Sequence, residues 1–143
     1  MADVALVSCV AKKLAVSAPA RDLYCSGWFR LARAWCEACV DRWYILSAKY
    51  QLVPPELRIA PYNVTLVRQG IEARILWAER VVGELLPRVA PESDRLIVLA
   101  GRAYREPMVA LLAARGYRVA VPMAGLGIGQ QMAWLKRKEQ INS

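Results

Sequence analysis

Residues 95–121 read RLIVLAGRAYREPMVALLAARGYRVAV, and this stretch decides the fold. Arg95-Leu96-Ile97-Val98-Leu99-Ala100 is a continuous apolar run, ended at once by Gly101. A run without polar alternation suits a strand that is covered on both faces. Residues 103–115 have helical character, and Pro107 is expected in the first turn, where proline is tolerated. Gly116 stops that helix, and 117–121 is apolar strand again. A strand, a crossover helix and a second strand make a parallel unit.

The same alternation extends outward on both sides. Val4-Ala5-Leu6-Val7-Ser8 is a short strand, and Arg42-Trp43-Tyr44-Ile45-Leu46-Ser47 is another. Between them, 27–40 set Trp28, Leu31, Trp35 and Cys39 at helical spacing. Ile71, Ile75, Val82 and Leu86 mark the next helix, which Pro87 closes. After the last strand, Gly125, Gly127 and Gly129 mark a loop, and 130–138 reads as a final helix. The order is βαβαβαβα. The predicted fold class is α/β: a three-layer α/β/α arrangement with a short four-stranded, mostly parallel sheet and right-handed crossovers. Pro54, Pro55 and Pro61 forbid a continuous helix or central strand after 42–47. Residues 51–66 are too long for a mere connector and are expected to be a functional loop.

The chain has 143 residues, enough for one core and one domain over 1–143. With 57% hydrophobic and 22% charged residues it is not a disordered chain. No apolar run approaches the roughly 18 residues of a membrane span. The opening Met1-Ala2-Asp3-Val4 lacks the basic segment of a secretory signal. The expectation is a cytoplasmic protein without a membrane partner, its oligomeric state left open. The net charge of +8 points to nucleic acid or a nucleotide as partner. The plain alternative is an arginine-rich solvated surface, because only Lys136-Arg137-Lys138 forms a basic run.

No histidine is present, which excludes Ser-His-Asp and Cys-His catalysis and histidine-bound metals. The cysteines are Cys9, Cys25, Cys36 and Cys39. Cys36 and Cys39 form a C-x-x-C pair, but they share the helical spacing of Trp28, Leu31 and Trp35. Buried helix-face thiols are therefore expected, with structural zinc and redox chemistry as the alternatives. No metal and no cofactor is expected.

In open α/β sheets, ligands bind beyond the carboxyl ends of the strands. All four predicted strands end in polar or glycine-containing segments: Ser8-Cys9 with Lys12 and Lys13, Ser47-Ala48-Lys49-Tyr50, Gly101-Arg102, and Gly125 to Gln130. Ser8, Lys12 and Lys13 suit an anion, although the phosphate-loop glycine pattern is missing. Gly125-x-Gly-x-Gly before a helix offers backbone amides to a phosphate. It is no dinucleotide fingerprint, because no βαβ unit follows. Tyr24, Phe29, Tyr50, Tyr62 and Tyr104 lie in or near these segments and are candidates to stack a base. Packing under the loops is the plain alternative. Asp22 is a candidate base or ligand-orienting group, or simply a partner of Arg21.

Several strings together resemble a family of small bacterial and phage domains of unknown function. They are Leu6-Val7-Ser8-Cys9 with Lys12-Lys13, Ala20-Arg21-Asp22-Leu23-Tyr24 with Ser26 and Phe29, and Ile45-Leu46-Ser47-Ala48-Lys49-Tyr50. Pro61-Tyr62 with Thr65-Leu66, and Gly127-Ile128-Gly129-Gln130 with Trp134-Leu135, complete the set. The resemblance covers nearly the whole chain. It departs at Gln51, where the family usually has glycine, and this bears on the tightness of that turn. More distantly, the chain is similar to the YaaA-type peroxide-stress proteins and to the catalytic domain of archaeosine synthase. The latter carries a Cys-x3-Lys segment followed by Tyr and Ser, as Cys9, Lys13, Tyr24 and Ser26 do here. Both groups resemble the uracil-DNA glycosylase arrangement, whose own motifs do not match.

These resemblances imply a base- or nucleotide-binding pocket. The expected function is a nucleobase- or nucleotide-acting enzyme, glycosylase-like or base-modifying. The alternative is a non-catalytic DNA- or RNA-binding module in stress response or phage defence. The candidate catalytic residues are Ser8, Cys9, Lys13 and Asp22. Lys12, Tyr24, Ser26, Ser47, Lys49, Tyr50, Tyr62, Gly101, Tyr104, Gly129 and Gln130 are the candidate substrate-binding residues. Ser8, Lys13, Tyr24, Ser47, Lys49, Tyr62 and Gly129 are expected to converge at the carboxyl end of the sheet.

Overall fold

The computed structural model describes residues 2–8 and 12–141. Strand β1 (Asp3–Ser8) is followed by a two-residue strand β2 (Ala18–Pro19) and a single helical turn α1 (Ala20–Leu23). Helix α2 (Gly27–Cys39) leads to β3 (Arg42–Ser47), β4 (Gln51–Val53) and β5 (Arg58–Ile59). A 3-10 turn (Leu66–Arg68) precedes α3 (Ile71–Leu85), and β6 (Arg95–Leu99), α4 (Arg102–Ala114), β7 (Arg118–Ala120) and α5 (Ile128–Arg137) complete the chain.

The main sheet has the order β4-β3-β1-β6-β7. β3, β1, β6 and β7 run parallel, as their continuous apolar runs require. The sheet has five strands rather than the expected four, because β4 pairs antiparallel with β3 in a tight hairpin. The prolines that suggested only irregular structure after 42–47 begin at Pro54, just past the end of β4. β4 is an edge strand, where interruption by proline costs no ladder on the far side. β5 and β2 form a separate two-stranded ribbon inside segments that read as loops.

Alternate strand residues separate two cores. Ala5, Val7, Ile45, Ile97 and Leu99 face α2 and α5, while Val4, Leu6, Leu46, Leu96 and Val98 face α3 and α4. The result is the expected three-layer α/β/α sandwich. α2 begins where the Ser26 hydroxyl accepts a hydrogen bond from the Phe29 amide at 3.1 Å. It buries Phe29, Ala32, Trp35, Cys36 and Cys39, one stripe at helical spacing.

Two local expectations are corrected. On α3, only Val82 of the four expected face residues is buried; Ile71, Ile75 and Leu86 are exposed. The buried face is Trp77, Ala78, Val81, Val82 and Leu85. This helix is apolar on more than one side, and the sheet selects the side. On α4, Pro107 lies in the second turn, not the first, because the helix starts at Arg102. Its missing amide leaves the Ala103 carbonyl without the usual α-helical donor.

Among the described residues, no helix is long and apolar enough to cross a membrane.

Candidate functional site

The parallel strands follow the spatial order second, first, third, fourth in chain order. The chain leaves β1 for one side of the sheet to form β3, then returns past it to form β6. The switch point lies between β1 and β6. α2 leaves on one face and α4 on the other, so a crevice opens above the carboxyl ends of these two strands.

A cavity of about 320 Å³ occupies this position, lined by Ser8, Ser26, Trp28, Val67, Gly101, Arg102, Ala103, Tyr104, Ile128 and Gln131. Ser8 ends β1 and is 5% exposed. Its hydroxyl accepts a hydrogen bond from the Gly101 amide at 3.3 Å, which ties β1 to the start of α4. The lining draws on the first turns of three helices: Trp28 from α2, Arg102 to Tyr104 from α4, and Ile128 and Gln131 from α5. The aligned dipoles of these helix starts make this edge electropositive. The Arg102 guanidinium adds a full charge and pairs with Glu106 at 3.2 Å on the exposed surface.

Trp28 and Gln131 hold each other. The indole Nε1–H donates to Gln131 Oε1 at 2.9 Å, and Gln131 Nε2–H donates to the Leu126 carbonyl at 2.9 Å. This chain of bonds fixes the indole plane at the mouth of the crevice. Tyr104 is buried, stacks edge-on against Trp77, and places its hydroxyl 3.5 Å from Thr65 Oγ1. A smaller cavity of about 50 Å³ adjoins the first through Trp28, Gly101 and Gln131, and reaches Arg105 and Met123.

A second group lies beside the crevice. The Lys13 ammonium sits 4.5 Å from the centre of the Tyr62 ring and 5.7 Å from that of Tyr24. The Tyr24 and Tyr62 hydroxyls are hydrogen-bonded at 2.6 Å. Tyr50 packs edge-on against Tyr62 at 5.5 Å, with the Lys49 ammonium 5.3 Å from its ring centre. Tyr24 is buried against Phe29, so its ring is part of the core.

The candidate residues thus divide. Ser8, Ser26, Gly101 and Tyr104 line the crevice; Lys13, Tyr24, Lys49, Tyr50 and Tyr62 form the adjoining cluster. Lys12 is exposed, and its carbonyl accepts from the Cys25 amide. Ser47 is fully buried, and its hydroxyl accepts from the Lys49 and Tyr50 amides, which closes the turn after β3. Asp22 pairs with Arg33 at 2.7 Å, closer than its neighbour Arg21 at 4.0 Å. Gly129 is exposed in the first turn of α5, and the Gln130 side chain accepts from the Gly127 amide to cap that helix. Cys9 lies outside the described residues.

Trp28, Val67, Ala103 and Gln131 escaped the sequence reading as site residues, while Arg102 and Ile128 entered it only as parts of the strand-end segments Gly101-Arg102 and Gly125 to Gln130. Arg102 was legible as the residue directly after Gly101, while Trp28 matched the buried stripe of its helix. Cys36 and Cys39 are buried on α2, and burial pushes both thiols above the ordinary range, Cys36 further. That is the setting of packed, unreactive thiols.

A model of a family of unknown function, DUF6884, matches residues 4–137, and the chain belongs to that family. No curated protein and no solved structure matches it.

Proposed function

For this family member we propose a nucleotide- or nucleobase-acting domain whose ligand lies in the crevice between β1 and β6. The observation that supports this most is the meeting of three helix N-termini and Arg102 with a fixed indole in one cavity. The two halves of such a site match the two halves of a nucleotide. Helix N-termini and a guanidinium favour a phosphate. Trp28, Val67 and Ile128 offer an apolar slot with an aromatic face for a base. About 320 Å³ is at the lower end of small-ligand sites, a size for one nucleotide. Ser8, deep at the strand end, has a hydroxyl proton to donate while its oxygen accepts from Gly101.

The reading is glycosylase-like or base-modifying chemistry, with Ser8 at the strand end as the hydroxyl facing the base. A binding module without turnover is the second reading. It is favoured by one feature: among the described residues, no carboxylate and no lysine lines the crevice. Calorimetric titration with nucleoside monophosphates and with inorganic phosphate tests the site. Nucleotides are expected to bind, with Trp28→Ala and Arg102→Ala each weakening them by about tenfold. No binding by the wild-type protein at millimolar nucleotide overturns the reading. Mass spectrometry of oligonucleotides after incubation separates the alternatives: base loss or modification that Ser8→Ala abolishes supports the enzyme, and binding without any change supports the module.

A further inference from the structure

We propose that the Lys13–Tyr62–Tyr50–Lys49 cluster continues the crevice as a track for the backbone of single-stranded nucleic acid, so that the nucleotide in the crevice belongs to a strand. This rests on the preceding reading of the crevice and adds the class of its substrate. Three observations carry it.

The first is continuity. Tyr24 of the cluster and Ser26 of the crevice are two residues apart, a span of at most about 7 Å of chain. Tyr62 of the cluster and Val67 of the crevice belong to one short segment, which the Thr65–Tyr104 contact holds against the crevice wall. The two groups share one edge of the sheet and two stretches of chain.

The second is the way the lysines are held. Lys13 and Lys49 each lie over a tyrosine ring, and the Tyr50 and Tyr62 rings pack edge to face at 5.5 Å. Cation–π contact restrains long, flexible side chains that would otherwise lose rotamer freedom on binding. Two restrained ammonium groups, linked through the Tyr62–Tyr50 pair beside a nucleotide pocket, suit phosphates of one strand. The rings act here as supports for the cations rather than as stacking platforms.

The third is access. Ser8 is 5% exposed at the base of the crevice. A base that reaches it has left any duplex, because a paired base cannot enter a recess at the end of a sheet. A single strand meets that condition without the cost of unpairing.

The test uses the full-length protein and fluorescence anisotropy with labelled ten-nucleotide oligo-dT and oligo-rU at several salt concentrations, alongside titration with a mononucleotide. The oligomers are expected to bind at least tenfold tighter than the mononucleotide. Lys13→Gln with Lys49→Gln should lower the salt slope by about 0.7 for each lysine and leave mononucleotide affinity within about twofold. Lys13→Arg with Lys49→Arg, which keeps charge and cation–π contact, should restore the slope. Lys136→Gln with Arg137→Gln, at the far end of the ~15 Å α5, should leave it unchanged. Oligomers that bind no tighter than the mononucleotide, or a slope insensitive to the two lysines, overturn the track and leave the crevice reading intact. A duplex that outcompetes both single strands also overturns it. Failure of the mononucleotide itself to bind overturns the crevice reading instead. Preference between the dT and rU arms tells DNA from RNA.

Discussion

Gln51 carries a backbone φ of +63°, in the left-handed region that side chains with a Cβ avoid. It opens β4 one residue after the turn that Ser47 closes, and its amide side chain donates to the Lys49 carbonyl at 3.1 Å. The family resemblance expects glycine here, and glycine adopts this conformation freely. Gln51→Gly is therefore expected to raise stability by about 0.5–1 kcal/mol in urea unfolding, the relieved strain exceeding the entropy that glycine adds to the unfolded chain. Asp94 shows a different local economy. Its carboxylate accepts from the Ala90 amide at 2.9 Å and the Ala2 amide at 3.3 Å, with Arg42 at 3.6 Å. The Ala90 bond, then the Ala2 amide and the Arg42 charge, hold its pKa below the ordinary aspartate value. A lowered pKa means stability that is present above about pH 4, the unfolded value, and lost as pH falls through the folded one. Asp94→Asn should cost on the order of 1 kcal/mol near neutral pH, and thermal melts across pH should show the gap to wild type closing in acid.

At the scale of elements, α3 separates periodicity from burial. Its sequence IEARILWAERVVGEL allows more than one apolar stripe, and the stripe of Ile71 and Ile75 faces solvent. Ile71→Ser with Ile75→Ser is expected to change stability by less than about 0.5 kcal/mol per site. Val82→Ala, one face away, should cost about 2 kcal/mol through the lost methyl groups and the space they leave. Guanidinium unfolding of the two variants decides which face carries the packing. α2 and α5 need no such arbitration. Trp35 of α2 is fully buried, stacks on Trp134 of α5 at 5.1 Å and donates to the Glu139 carbonyl at 3.2 Å. That contact seats α5 against α2.

Across the whole molecule, the two ends of the sheet have separate tasks. The carboxyl end holds the crevice and the lysine–tyrosine cluster. The amino end holds the chain together: Arg95 makes two 3.0 Å bonds to the Asp3 carboxylate and donates to the Ile141 carbonyl at 2.8 Å. Arg95 and Asp3 are 11% and 20% exposed, so removing the guanidinium leaves a largely buried carboxylate unpaired. Arg95→Met is expected to lower stability by about 2–4 kcal/mol while nucleotide affinity stays within about twofold, as calorimetry of the still-folded variant at low temperature would show.

The sequence by itself determined the four parallel strands, the helices between them and the shared edge to which Ser8, Ser47 and Gly101 belong. These follow from local pattern: an apolar run long enough for one strand, a glycine that ends a helix, and connections long enough for parallel pairing. The strand-end reading reached Ser8 and Gly101, the family resemblance reached Ser26, and the aromatics near the strand ends included Tyr104. Only the tertiary structure decided that Trp28, Val67, Ile128 and Gln131 join them. In sequence, Trp28 belongs to a buried helical stripe and Ile128 to a loop, and nothing in either pattern says that three helix starts meet. The same holds for α3 and β4. Which face of an apolar helix is buried, and whether three residues before two prolines find a partner strand, depend on the surface the rest of the chain presents. Local propensity sets the elements; the packing of distant segments sets what lies between them.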